Sequence, residues 1–211
     1  MLLACDDFDA KAATAAFERS ATMARNWHGR TDYELVIRGD DGEGDPPIIV
    51  SIFQRAVPGE ARVDFTDEES KISIFFSSTD EAACSTDPAD LSLALKKDTG
   101  GACVSRVPGE GTSAGNYALL LALTFSYVLS DDRDTGVTVS AVWDDRVMEQ
   151  DAKCYGFGDS GAELSFCFAE DGQLVRLGAQ LPGGRLMCDA TNATIVSDAD
   201  FERPYPVVDK G

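Results

Sequence analysis

Apolar residues run almost without a break from Tyr117 to Leu129, so side chains of this kind would point in nearly every direction of a helical wheel. A helix that is apolar all round must be enclosed. The run is well short of the roughly 20 residues that cross a bilayer, so protein rather than lipid is the expected enclosure. Thr112 and Ser113 are candidate caps before it, and Ser130, Asp131 and Asp132 close it. The rest of the chain then has to supply an apolar surface around this rod.

From Asp7 to Trp27 the chain is Ala-rich, with Phe8, Ala12, Ala15, Ala16, Met23 and Trp27 near a helical period. This predicts an amphipathic helix lying on a core. Between Thr31 and Ser77 the period changes to two. Pairing across Pro58 and Gly59 sets Ile52 opposite Phe65, and a turn at Asp67 to Ser70 sets Phe65 opposite Ile72 and Val63 opposite Ile74. With Ile37 against Ile48, one face of a four-stranded antiparallel meander collects Tyr33, Leu35, Val50, Ile52, Val63, Phe65, Ile72, Ile74 and Phe76. The other face carries Glu34, Arg62, Asp64, Lys71 and Ser73.

Asp87 and Pro88 open a short helical segment that Gly100 and Gly101 end, bracketed by Cys84 and Cys103. Glycines up to Gly115 predict a mobile approach to the central helix. In the second half, Val137, Val139, Ala141 and Trp143 alternate with polar neighbours. A turn at Asp144 and Asp145 and a bulge near Gln150 are expected after them. A tight hairpin loop at Ser160 and Gly161, closed by Asp159 and Ala162, brings Cys154 directly opposite Cys167. Such a non-hydrogen-bonded pair sits about 4.5 Å apart at Cα, close enough for a disulfide. The register sets Tyr155 by Phe166 and Phe157 by Leu164; a turn at Asp171 and Gly172 sets Val175 by Phe168 and Leu177 by Phe166. Gly184 to Val196 gives a last strand or two, and Pro204 and Pro206 an extended tail.

Charge removes one class of partner. With 37 acidic against 18 basic residues the formal net charge is −19. A phosphate backbone would be repelled, so nucleic acid is excluded. Asp41, Glu43 and Asp45 have the alternation of a calcium loop, but Pro46 and Ile52 occupy its Gly and Glu positions, and no metal site follows. Gly158 to Gly161 resembles the nucleophile motif of chymotrypsin-like serine proteases, with Ser160 as the nucleophile. Triad chemistry needs a His base. The one histidine, His28, lies at a helix exit without the family's flanking Ala and Cys, so the glycines are those of a hairpin tip. Asn192 to Thr194 is a glycosylation sequon by letter only. No cofactor motif is present, and no enzymatic activity is expected.

Leu2, Leu3, Ala4 and Cys5 resemble the lipobox of bacterial lipoproteins, in which the Cys is acylated. Residues 1–5 then read as the remnant of a lipoprotein signal and 6–211 as one domain. Two closable pairs, Cys84 with Cys103 and Cys154 with Cys167, favour an oxidising compartment. With Cys5 lipidated, Cys188 is the odd cysteine; the competing arithmetic joins it to Cys5.

The order of elements, the lipobox-like Leu2 to Cys5 and the stretch Cys154 to Leu177 together resemble the LolA/LppX-like bacterial envelope lipoproteins and lipoprotein carriers. The resemblance implies an α+β fold: an incomplete antiparallel β-barrel of about nine or more strands, covered by an N-terminal amphipathic helix and a buried central helix. It also implies a membrane-tethered, extracytoplasmic protein of the cell envelope that binds a lipid or acyl chain in a half-barrel cavity, as carrier or chaperone. Lining candidates are Leu35, Val63, Phe65, Ile72, Ile74 and Phe76 of the meander, Leu119 and Leu123 of the central helix, and Phe166 and Phe168. Each is equally the kind of residue that fills an ordinary core. The rival expectation is a non-enzymatic envelope scaffold whose interior is filled by its own side chains.

Overall fold

A computed structural model describes residues 8–39, 44, 46–55, 60–66, 71–76, 81–87, 100–105, 138–159, 162–181 and 184–208. Among these residues one α-helix, α1 (Ala10–Asn26), precedes eleven strands. The first six are β1 (Gly29–Gly39), β2 (Ile48–Arg55), β3 (Glu60–Thr66), β4 (Lys71–Phe76), β5 (Glu81–Ser85) and β6 (Ala102–Ser105). The rest are β7 (Ala141–Val147), β8 (Gln150–Asp159), β9 (Ala162–Ala169), β10 (Leu174–Leu181) and β11 (Gly184–Thr194). All form one sheet in the order β6-β5-β4-β3-β2-β1-β11-β10-β9-β8-β7, and every neighbouring pair is antiparallel. The two halves of the chain are therefore two meanders joined where β11 returns to β1.

The sheet is open, with β6 and β7 at its ends: the four-residue β6 is bridged by Val207 of the C-terminal segment and not by another strand. One expectation about the architecture is corrected: a second covering helix is not found. Among the described residues α1 is the only α-helix, and 117–129, with Leu119 and Leu123, lies outside them.

The helix begins where Asp9 accepts a hydrogen bond from the Ala12 amide at 2.9 Å, a side-chain cap for an otherwise unpaired donor. It ends as Trp27 becomes extended. Its last turn is tied to β2 by Gln54, whose buried amide donates to the Ala24 carbonyl. The buried face is Ala13, Phe17, Ala21 and Ala24. The stripe expected from Phe8, Ala12 and Met23 was the wrong one, since Phe8 and Met23 are exposed. Three alanines and one aromatic let the helix axis approach the sheet closely around a single large side chain.

Register is as expected across 67–70 and in the Cys154–Cys167 hairpin, and two residues out across 40–47 and 56–59. Phe65 faces Ile72 and Val63 faces Ile74. Across 56–59, however, Ile52 faces Val63 and Val50 faces Phe65, and across 40–47 it is Leu35, not Ile37, that faces Ile48. A slip of two keeps every side chain on its own face, so the apolar set survives. In the second half Cys154 meets Cys167, Tyr155 meets Phe166, and Asp159 meets Ala162. Leu177 faces Phe166 as expected, but an irregularity between Leu174 and Arg176 leaves Leu174, not Val175, opposite Phe168. Asp144 and Asp145 lie within β7; the turn is Met148 and Glu149, both at positive φ, so no bulge is needed near Gln150.

Both expected disulfides are formed. Cys154–Cys167 spans 4.0 Å at Cα and Cys84–Cys103 spans 3.9 Å. The latter joins two adjacent strands that sequence patterning missed, because β5 and β6 are short and poor in β-branched residues. The helical segment expected between them falls at 88–99, outside the described residues. Cys188 is free and buried.

Candidate functional site

The inner face of the sheet, the one α1 lies on, is apolar across its width. One row of paired residues runs Ile48, Leu35, Cys188, Leu177, Phe166, Tyr155 and Val142, from β2 through β1, β11, β10, β9 and β8 to β7. Alternation places each of these side chains on the same side. Phe17 of α1 presses on the row from above: its ring lies 5.6 Å from that of Tyr155 and 5.8 Å from that of Phe166, with Phe157 and Phe168 completing the cluster. Beyond β1 the face continues through Val50, Val63, Phe65, Ile72 and Ile74, all buried and all in the same core cluster.

Polar groups on this face are few and satisfied. Tyr33 donates its hydroxyl to the Leu174 carbonyl at 2.5 Å, and Gln173 donates to the Thr31 hydroxyl at 2.9 Å, both bonds buried. The Ser20 and Tyr155 hydroxyls pair at 3.1 Å beside the helix. Burial, then the charge that Cys188 would carry, pushes the Tyr33 phenol far up; burial, then Asp189, does the same to the Cys188 thiol. Both therefore stay neutral, and the inner face carries no charge at its centre.

Of the expected lining set, Leu35, Val63, Phe65, Ile72, Ile74, Phe166 and Phe168 share one cluster with α1. Phe76 closes β4 and pairs with Ala61, while Leu119 and Leu123 lie outside the described residues. A cavity of about 460 Å³ opens where α1 meets the β7–β9 end, between Met23 and Ser20 on one side and Phe168, Ala152 and Ala169 on the other, with Asp144, Asp145, Asp151 and Glu170 around its mouth. That volume lies within the roughly 300–1,000 Å³ of small-molecule sites. A second cavity of about 400 Å³ is lined by Trp143, Gly156 and Gly178 among others. Neither takes Leu35, Val63, Phe65, Ile72 or Ile74, which are packed instead. Sequence reasoning missed Phe17 and Ser20; the signal that finds them is the i, i+4, i+8, i+11 spacing of Ala13, Phe17, Ala21 and Ala24.

His28 is exposed at the junction of α1 and β1, and Ser160 lies outside the described residues. Among the described residues no group of three or more His, Cys, Asp or Glu is placed to hold a metal ion, and no helix is long and apolar enough to cross a membrane.

No protein-family model matches the chain, and no curated protein matches its sequence. Solved structures do match its shape. A structure of MucB superposes with a TM-score of 0.52 at 10% identity over 91% of this chain and 63% of the MucB chain. MucB in complex with MucA(peri) gives 0.50 at 12% identity over 92% and 60%. The lipoprotein LppX of Mycobacterium tuberculosis aligns more loosely, with a TM-score of 0.45 at 13% identity, over 90% of this chain and 99% of LppX. The fold is that of the MucB structures. This chain spans about three fifths of the MucB chains it resembles. What it shares with them is the fold alone.

Proposed function

We propose that this protein is a membrane-tethered, extracytoplasmic carrier or chaperone that holds a lipid or acyl chain against the inner face of its sheet. The observation that carries this reading is the uninterrupted apolar row from Ile48 to Val142, covered by α1 and flanked by the cavity at Phe168. Binding needs no covalent chemistry: each methylene moved from water into such a face contributes about 0.8 kcal/mol. Leu35, Val63, Phe65, Ile72, Ile74, Phe166 and Phe168 line the path in this reading, and α1 is the element that shifts to admit a chain. Two disulfides fit an oxidising compartment. Acylation of Cys5 supplies the tether.

A specific observation favours the rival reading, a scaffold or interaction module with a filled interior. Leu35, Val63, Ile74 and Phe166 are each about 1% exposed, as packed core residues are. MucB, which shares the fold, has been solved with MucA(peri), so a protein segment is the alternative occupant.

Native mass spectrometry of protein purified without detergent separates the two. A lipid-mass adduct, together with enhanced fluorescence of cis-parinaric acid on the delipidated chain, is expected for the carrier. A bare chain that leaves the probe unchanged overturns it and leaves the filled module. Membrane fractionation of Cys5→Ser tests the tether: the variant should move to the soluble fraction.

A further inference from the structure

The C-terminal residues after β11 do not trail away but cross the outer face of the sheet. Ser197 bonds the Asp200 carboxylate through both its amide and its hydroxyl, at 2.7 and 2.8 Å, closing a short 3-10 helix over Asp198–Phe201. Arg55 of β2 pairs with Asp198 and lays its guanidinium over the Phe201 ring at 4.6 Å. Arg62 of β3 donates to the Asp200 carbonyl at 2.8 Å. Tyr205 then packs on Phe75, Cys84 and Cys103. The strap ends on β6, where the Cys103 amide donates to the Pro206 carbonyl at 3.1 Å and the Val208 amide donates to the Cys103 carbonyl at 2.7 Å. Val207 thereby bridges Cys103 in parallel.

Cys103 is thus shared. Its sulfur fixes it to Cys84, its main chain takes both hydrogen bonds of the strap's end, and the disulfide beneath Tyr205 is buried, with Cys84 1% and Cys103 0% exposed. Gly101 completes the fit: at φ +112 it favours glycine, and a Cβ there would lie 2.6 Å from the Tyr205 ring. Strap and disulfide shield each other, and a coupling of that kind is reciprocal. Beneath them is the end strand of the sheet, whose free side would otherwise be a template for another chain.

We propose that residues 197–208 are a thiol-controlled latch on the β6 edge, held shut by Cys84–Cys103 and released when a dithiol donor reduces that bond. In the reduction, one donor thiolate attacks a cysteine sulfur, and the other cysteine leaves as a thiolate and takes a proton. The second donor thiol then resolves the mixed disulfide. Two electrons and two protons pass to Cys84 and Cys103, and the donor becomes a disulfide.

The test uses the full chain with dithiothreitol as donor, quenching and mapping each bridge by mass spectrometry. Tyr205→Ala should speed reduction of Cys84–Cys103 at least tenfold and leave Cys154–Cys167 unchanged; equal rates in variant and wild type overturn the latch. Should Tyr205→Ala accelerate both bridges, the variant has opened globally, and wild-type hydrogen exchange decides. Loss of protection at the Val208 amide on reduction, with the Leu177 amide still protected, supports the latch. A Val208 amide equally protected before and after reduction sinks it.

Discussion

Phe17 of α1 meets Phe157 of β8 edge to face, with ring centroids 4.7 Å apart and planes inclined by 74°. Such a contact places the positive edge of one ring against the negative face of the other. Because the other buried residues of α1 are alanines, this one ring supplies most of the side-chain volume between helix and sheet. The seat of the helix, and with it the cover of the apolar row, depends on one side chain.

Phe17→Ala should therefore lower stability by about 3–5 kcal/mol, the range for removing a buried phenylalanine. Phe17→Leu, which keeps more of the volume, should cost clearly less. Urea denaturation followed by circular dichroism measures both. A cost below about 1 kcal/mol for the alanine variant would mean that α1 is not seated on the sheet by this ring.

The sheet was legible where alternation and a correctly placed turn coincided. The Cys154 to Phe168 hairpin could be registered residue by residue because a two-residue loop admits few closures. Across 56–59 the turn was placed at Pro58 and Gly59 while the strands close at Arg55 and Glu60, and across 40–47 the offset was also out by two, yet burial still fixed the face. The helix stripe was misread because Ala recurs on every side of α1, so several wheels look alike until the sheet chooses Phe17 over Met23. The strap was invisible for a different reason: its contacts, Arg55 to Asp198 and Tyr205 to Cys103, join residues more than a hundred positions apart or span a loop between, and no local pattern encodes them. On the polar face of the first meander, Asp64 and Phe53 are buried because Arg62 pairs with Asp64 and, together with Arg30, covers the Phe53 ring.

Acid should weaken the outer face at Asp32. Burial works against its carboxylate, but hydrogen bonds from Ser51 and Arg30, then the charge of Arg30, outweigh it and hold the pKa below the ordinary 3.8. A depressed pKa gives stability that is full above the unfolded value and is lost as pH falls through the folded one. The contribution of Asp32 should be present at pH 7 and fade below about pH 4. Melting temperatures from pH 7 to pH 2.5 check this: Asp32→Asn should lie below wild type at neutral pH and converge with it in acid. Parallel curves would remove Asp32 from the acid response.

Cys154→Ser with Cys167→Ser should cost about 3 kcal/mol, the chain-entropy value for a loop of this size; the two residues are 13 apart in sequence. Cys188 should behave oppositely. Buried and held as a neutral thiol, it should resist iodoacetamide in the native protein and react once urea opens the core. Peptide mapping of the alkylated sites reads the second effect directly. Native labelling of Cys188 would show that the inner face between Leu35 and Leu177 is open to small molecules.

The β7–β8 hairpin offers a substitution that should stabilise. Met148 and Glu149 sit at φ 53 and 62, the left-handed pair that a two-residue hairpin requires and that Asn and Gly prefer. Met148 packs partly on the core, so its side chain has a use there; Glu149 is exposed and lends only its carbonyl, which accepts from Arg146 at 3.1 and 3.2 Å. Glu149→Gly keeps that carbonyl and relieves the strain of placing a Cβ in the left-handed region, about 1–2 kcal/mol per residue. Part of the gain is returned through the greater freedom of glycine in the unfolded chain, roughly 0.5–1 kcal/mol. A net rise of up to about 1 kcal/mol is expected, read as a higher urea midpoint at unchanged slope. A lower midpoint would show that Met148 and Glu149 do not form this turn in solution.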